Sequence, residues 1–351
     1  MSADRGPAGA SRLPTLEDVA QVAGLSRATV SRVINNTRNV DPALHEAVWR
    51  AVDETGYVPN RAARSLVTRR TGTIALVVSD SDSHTDDPFM SRLLGDPFFG
   101  RVVGGLMSVL RDAGVQLALQ LVGSQQARRR FVGDVRQGQA DGAVVLSMHP
   151  DDTLPGLLVE AGVAAVLIGR PSRPQPISYV DVANEAGAAI AAETLVGRGC
   201  ARIAMIAGPE SVPASQDRLA GFRGAMARLG RAYFPSTAGN FTRDSGELAM
   251  RELLAAEPAL DGVFVAHDLM AQGALAALHE AGRSVPGDVA VVGFDDSSAA
   301  TAARPALTTV RQPLEDMAAE AARMLLARVE DPGQPPSSVV FDPELVRRRS
   351  A

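Results

Sequence analysis

The sequence predicts an N-terminal all-α helix-turn-helix unit followed by a larger α/β body with parallel sheets in two lobes. Three observations predict it. Residues 15–35 carry apolar side chains at helical spacing in two short stretches that meet near Gly24. From Thr73 onward, short apolar runs alternate with helix-length segments, the pattern of parallel strands covered on both faces. The runs Ala140–Leu146 and Leu260–Ala266 each pass through an Asp-Gly turn into an apolar strand, an echo that two similar lobes would explain.

Residues 1–14 are rich in Gly, Ala, Ser and Pro and read as a disordered tail. In the next two helices, Leu16, Val19, Ala23, Leu25, Val30 and Val33 form one shared apolar face. Ala20 and Gly24 are small where the helices must approach, and the Ser26 hydroxyl can cap the second helix. Ser26, Arg27, Ala28, Thr29, Ser31, Arg32 and Asn35 are left for the outer face. Such a face suits the major groove of DNA: Arg27 to read a base, guanine through O6 and N7, and Arg32 a base or a phosphate. Ala28 offers only apolar contact, as with a thymine methyl, while Thr29, Ser31 and Asn35 position the helix on phosphates; Thr15 is placed in the same contact set. The alternative is a plain helical hairpin in a core. The polar outer face, the N-terminal position and the basic segment at residues 57–66 all oppose it.

A third helix is expected from Asp41 and Pro42, with Leu44, Ala47, Val48, Ala51 and Val52 as its apolar stripe and Gly56 as its end. Then Asn60 caps a basic mini-helix. Ala62 and Ala63 permit close approach, Arg61 and Arg64 suit phosphates, and Leu66 is exposed. An exposed leucine there is a poor core residue and a good wedge between base pairs in a minor groove. The expected boundaries are 15–59 for the helix-turn-helix domain, 60–72 for the hinge helix and linker, and 73–351 for the body.

A chain of 351 residues allows two or three domains. The net charge of −5 is unevenly spread: residues 1–70 sum to +3 and the remainder to −8, a basic head on an acidic body. Every basic side chain is arginine. Cys200 is the single cysteine, which excludes an intramolecular disulfide and a cysteine-built metal site; no metal and no cofactor are expected. No apolar run reaches membrane-spanning length and no signal-peptide pattern opens the chain, so no membrane partner and a cytoplasmic location are expected.

In the body, strands are expected at Ile74–Val78, Leu117–Leu121, Ala143–Leu146, Ala164–Ile168, Ile203–Ala207, Val263–Ala266 and Val289–Val292. Ligands of open parallel sheets bind beyond the carboxyl ends of strands. Those ends carry Ser79-Asp80, Ser147-Met148-His149, Gly169-Arg170, His267-Asp268 and Asp295-Asp296, polar groups on apolar runs. They fit a cleft lined by hydrogen-bonding residues. No nucleophile elbow, phosphate loop, zinc-protease helix or dinucleotide fingerprint is present, and no enzyme is expected.

The stretches TLEDVAQVAGLSRATVSRVIN and YVPNRAARSL resemble the LacI/GalR family of bacterial transcriptional regulators. The resemblance continues in order through VAAVLIGRP, SYVDVANEAGA, IAMIAGP, QDRLAGF, FVAHDLMAQGALAAL, VAVVGFDD and LTTVRQPL, nearly the whole chain after residue 14. It implies a two-lobed, periplasmic-binding-protein-like core, with the chain crossing between lobes several times. It also implies a homodimer on a near-palindromic double-stranded operator, with paired hinge helices that order on the DNA and Leu66 of each subunit wedged into a central step. The effector-contacting set it implies includes Arg218, whose fork can bridge adjacent sugar hydroxyls, with Asp295, Gln312, Phe98, Phe99 and Phe241. Ser79, Ser147, Arg170, His267 and Asp268, at strand ends, complete the expected set. With fourteen aromatic residues in the chain, the placement of each phenyl is informative. Two departures stand out. Gly169 occupies a position where many members carry Asp, and His267 replaces the more usual Asn or Ser. The segment Ser81–Gly95 lengthens a loop beside the cleft and reads as a lid or a determinant of effector size. The expected function is a repressor controlled by a sugar or oligosaccharide. A purine or other metabolite as effector, and a sugar-binding protein without regulatory role, remain the alternatives.

Overall fold

The computed structural model describes residues 12, 14–34, 41–58, 70–79, 95–147 and 149–351. The expected DNA contacts Asn35, Asn60, Arg61, Ala63, Arg64 and Leu66, the hinge helix and nearly all of the Ser81–Gly95 loop lie outside the described residues. The chain divides into two compact units at Gly72/Thr73.

The first unit holds α1 (Leu16–Ala23), α2 (Arg27–Ile34) and α3 (Pro42–Thr55). Val19, Val30, Val33, Ile34, Val48, Ala51 and Val52 form its core, with Leu16, Ala20, Ala23, Leu25 and Tyr57 packed against it. Ala20 is thus at the helix contact, as its size suggests. Gly24 is not: it is exposed, and a side chain there would meet open space. Its role is the left-handed turn that ends α1, at φ 65°. Asp41 caps α3 by accepting from the Ala43 amide at 2.8 Å, with Pro42 in the first turn.

The second unit is built on two six-stranded sheets. The first contains β1 (Thr73–Ser79), β2 (Gln116–Val122), β3 (Gly142–Ser147), β4 (Ala165–Ile168), β5 (Ser178–Val182) and β11 (Ser338–Phe341), in the order β11-β5-β4-β3-β1-β2, all parallel. The second contains β6 (Ile203–Ala207), β7 (Ser236–Ala238), β8 (Gly262–Val265), β9 (Ala290–Asp295), β10 (Thr308–Arg311) and β12 (Glu344–Val346), in the order β12-β10-β9-β8-β6-β7. The expected parallel sheets are present in both lobes, and at the edge of the second β12 pairs antiparallel with β10. One correction concerns β2. It is an edge strand incompletely covered by helices, and Leu119 and Leu121 remain 43% and 36% exposed.

The helices of this unit are α4 (Pro97–Leu110), α5 (Gln125–Arg136), α6 (Leu154–Glu160), α7 (Asn184–Gly197), α8 (Pro213–Arg228), α9 (Arg243–Ala256), α10 (Asp268–Glu280), α11 (Ser298–Ala302) and α12 (Leu314–Glu330). After β5 the chain enters α7, whose Ala188, Ala191, Ala192 and Leu195 belong to the core of the second sheet. After β10 it returns through α12, whose Leu314, Met317, Ala318, Ala321 and Leu325 pack in the core of the first. It then adds β11 to the first sheet and β12 to the second, so it passes between the lobes after β5, β10 and β11. Among the described residues no helix is long and apolar enough to cross a membrane.

Candidate functional site

Two sets of residues carry the chemistry, one in each unit. In the first unit the Ser26 hydroxyl accepts from the Thr29 amide at 3.1 Å and so caps α2, as its position suggests. Ser26, Arg27, Ala28 and Arg32 are exposed, and Thr29 and Ser31 are half-buried. The Thr29 hydroxyl lies 2.8 Å from that of Ser26, so it also belongs to the cap. Arg27 is held 3.1 Å from Glu17, with both side chains more than half exposed. Such a surface pair is weak, about 0–1 kcal/mol, and does not prevent the guanidinium from turning to a base. Thr15 caps α1: its amide and hydroxyl both donate to the Asp18 carboxylate, at 2.7 and 2.8 Å. Those bonds, with Arg12 beside them, hold the Asp18 carboxyl below the usual carboxylate range.

In the second unit a cavity at the carboxyl ends of both sheets brings together Phe98, Ser147, Arg170, Arg218, Phe241, His267, Asp295 and Gln312. Three expected members are placed elsewhere. Phe99 is 7% exposed in the core under the first sheet, because successive residues of α4 point to different faces. The Ser79 hydroxyl is buried and accepts from Arg128 at 3.1 Å, and Arg128 in turn pairs with Asp152 at 2.9 Å. Asp268 is wholly buried behind the cavity. Its carboxylate accepts from the Ser297 amide and the Thr309 hydroxyl, both at 2.7 Å, and so ties the turn after β8 to the turn after β9 and to β10. Burial first, and Asp295 second, raise its pKa.

Arg218 projects from α8 and is buried. Its Nε donates to Asn184 Oδ1 at 2.9 Å and its Nη1 to the Ala266 carbonyl at 2.7 Å, while Asp295 Oδ1 lies 3.4 Å away. Its guanidinium stacks 3.7 Å over the Phe294 ring, which fixes its plane. Burial lowers its pKa, against the opposing pull of Asp295. Asp295 ends β9 at φ 109°, and Gln312 Nε2 donates to its Oδ1 at 2.9 Å. His267 closes this cluster. Its Nε2 is 3.3 Å from both Asp295 Oδ2 and Asp96 Oδ2, and its ring sits 5.1 Å from that of Phe241. Burial alone would lower the His267 pKa, but Asp295 and Asp96 outweigh it and raise it to about 9, so the ring is a cation at neutral pH.

Arg170, after β4, is engaged across the cavity. Its Nε and Nη2 donate to the two oxygens of Asp217 on α8, at 2.7 and 2.6 Å. Its amide donates to Asp181 at 2.9 Å. Asp181, on the strand beside β4, supplies a carboxylate next to Gly169, whose φ of 92° disfavours any side chain there.

Asp96, Asp181 and Asn184 line the cavity and are not among the contacts expected from the sequence. Asp96 stands in an Asp-Pro cap and caps α4 through the Phe98 amide at 2.9 Å. A capping pattern alone does not announce that its second oxygen faces His267. Asp181 and Asn184 lie in SYVDVANEAGA, where a polar residue among apolar ones gives no sign of its direction. Three cavity-lining residues keep a buried polar atom without a hydrogen bond among the described residues: Gln175 Oε1, His267 Nδ1 and Asp295 Oδ2. The cavity thus combines phenyl faces, amides and carboxylates; Arg170, Arg218 and His267 each face a carboxylate of the chain, and His149 accepts from the Asp151 amide through Nδ1 at 3.2 Å.

Residues 15–60 match the family described as bacterial regulatory proteins, lacI family, and residues 192–351 match the periplasmic binding protein-like domain. The HTH-type transcriptional regulator CelR of Thermobifida fusca is 46% identical over 97% of this chain and 98% of that protein. The HTH-type transcriptional regulator GalR of Escherichia coli (strain K12) is 35% identical over 96% of each. Among solved structures, a transcriptional regulator CelR–cellobiose complex superposes with a TM-score of 0.74 at 44% identity, over 96% of this chain and 100% of that one. The lac repressor dimer bound to operator and the anti-inducer ONPF gives 0.79 at 26% identity, over 97% and 99%.

Proposed function

Because this chain belongs to the lacI family of bacterial regulatory proteins, and is a sequence-specific DNA-binding transcriptional regulator, we propose that it is a repressor released from its operator by an uncharged saccharide. The observation that carries the effector class is the charge balance of the cavity. Arg170 is spent on Asp217, Arg218 faces Asp295, and His267 lies between two carboxylates. Neither lining arginine is left over for a phosphate or carboxylate. What remains suits a polyol: the unsatisfied atoms of Gln175, His267 and Asp295, with the faces of Phe98 and Phe241 against C–H patches. The complex of its 44%-identical neighbour with cellobiose supports the same class and makes cellobiose the first compound to try.

In this reading Arg27, Arg32 and their neighbours on α2 enter the major groove, and residues 60–72 form the hinge. A second copy of the chain supplies the other half-site of a near-palindrome. The effector acts by preferring one arrangement of the lobes, which gives its coupling to DNA a sign and a magnitude. The protein is a binding protein of the cytoplasm and does no chemistry on its ligand.

The test is fluorescence anisotropy of the purified protein on its own upstream DNA, titrated with cellobiose, glucose, galactose, glucose 6-phosphate and adenine. Release by a neutral sugar, with no response to the phosphorylated one, is expected. Release by glucose 6-phosphate or adenine alone would sink the assignment of effector class and leave the DNA function standing.

A further inference from the structure

Arg101, on α4, does not line the cavity, yet it is bonded to two residues that do. Its Nη1 donates to the backbone carbonyl of Asp295 at 2.8 Å and its Nη2 to that of Gln312 at 3.1 Å. The same guanidinium donates to both oxygens of Glu315 at 2.7 Å. Its side chain is 17% exposed and that of Glu315 is 53% exposed.

We infer that Arg101 is a positioning residue of the effector cleft, holding the backbone at Asp295 and Gln312 so that both side chains keep their aim into the cavity. The inference rests on the saccharide reading only for the identity of the ligand. Three observations carry it. Asp295 and Asp296 both have positive φ, 109° and 55°, a conformation that persists only where surrounding contacts enforce it. The side chains of Asp295 and Gln312 are bonded to each other at 2.9 Å, so one guanidinium gripping both carbonyls fixes both ends of that pair. Arg101 and Glu315 also belong to helices packed in the core of the first sheet, whereas one carbonyl ends β9 of the second sheet and the other lies immediately after β10. The fork therefore joins the lobes at the place where the chain crosses between them.

Links between the lobes near the cavity include Arg101 to these carbonyls, Arg170 to Asp217, the Asp96 carboxylate towards His267, and Asn184 to Asp181 and the Val182 carbonyl. Arg101 differs in gripping the backbone of two cavity-lining residues at once. A plain ion pair would need Glu315 alone and would leave the carbonyls to other donors.

The comparison is made on the full-length protein with R101M, R101K and E315Q. The imidazole of His267, assigned by its loss in H267N, is titrated by NMR. It reports on Asp295 because the groups facing it are Asp295, itself paired with Arg218, and Asp96, with Asp268 as a further carboxylate acting on it. Cellobiose affinity is measured by calorimetry, and unfolding temperature is recorded for each variant. In R101M the His267 midpoint should fall from about 9 towards the ordinary histidine range. Cellobiose binding should weaken about tenfold or more. R101K should recover part of both, and E315Q should leave both near the wild-type values. An unchanged His267 titration in R101M, or an E315Q variant that reproduces it, overturns the proposal. If the wild type binds no cellobiose, cellobiose is excluded as the effector while the titration still decides on Arg101. If R101M does not fold, R101K against E315Q decides on the same two readouts.

Discussion

A histidine between two carboxylates gives the cleft a charge that follows pH. The His267 pKa is about 9 in the folded protein against an ordinary value of 6.5. Its contribution to stability is therefore fully present below about pH 6.5 and is lost as pH rises through about 9, at most roughly 3 kcal/mol. Urea unfolding of wild type and H267N across that range should show the difference between them shrinking with rising pH; a constant difference would remove the cationic reading. Arg27 is the matching residue of the DNA face. Its exposed pair with Glu17 is easily exchanged for a base. R27A should relax preference at one base position by roughly 1–3 kcal/mol, measured by competition among single-base operator variants. The roles of single residues are unevenly legible in the sequence. Arg218 is reached through resemblance, because QDRLAGF matches the family's effector-contacting arginine, whereas its helix position alone would equally suit a surface ion pair. Ser79 and Asp268 mislead because a polar residue at a strand end can face the cleft or brace the loop behind it, and spacing does not distinguish the two. Phe99 misleads for a related reason: adjacent phenyls on a helix cannot share a face.

Helices and strands are legible where their signal is local. All seven expected runs are strands, α1 and α3 begin and end at the residues that cap them, and α2 begins at its cap Ser26. Strands β5, β7, β10, β11 and β12 escape sequence reading because they are short, at most five residues, and several carry charged or hydroxyl side chains. Their strand character comes from the neighbour they pair with. Helix contacts also hide in the sequence until glycine is read as a spacer. A Cβ on Gly246 would lie 2.1 Å from the Met270 carbonyl, and one on Gly273 would lie 1.9 Å from that of Arg243, so α9 and α10 touch backbone to backbone. G273A should destabilise the fold by about 2 kcal/mol or more, seen as a lower unfolding temperature. At the cavity, β4 and α8 are joined by the two-bond pair of Arg170 with Asp217. D217N should open the cleft more often and weaken cellobiose binding severalfold by calorimetry, and ligand-free operator affinity should hold or rise, because the open arrangement is the one that binds operator. Unaltered binding would reduce that pair to a surface contact.

At the scale of the molecule, two units differ in how much core they own. Among the described residues the first rests on seven buried apolar side chains in one cluster, while the second has three larger clusters. Backbone amides of residues 16–55 should therefore exchange with deuterium faster than those of the strands in the second unit; equal protection would contradict this. The sign of charge divides the same way, with the basic excess in residues 1–70 and the acidic excess beyond. Organisation at this level is partly legible: alternating apolar runs and a repeated Asp-Gly turn foretell two parallel-sheet lobes, whereas which strand completes which sheet stays hidden. The three crossings have a consequence for how the molecule is made. Synthesis delivers β1 to β5 first, but α12 and β11, which cover and complete their sheet, leave the ribosome only after β6 to β10 of the second lobe. The lobe that is begun first thus waits for nearly the whole chain, and a nascent chain must carry one bare face of that sheet through most of its own translation.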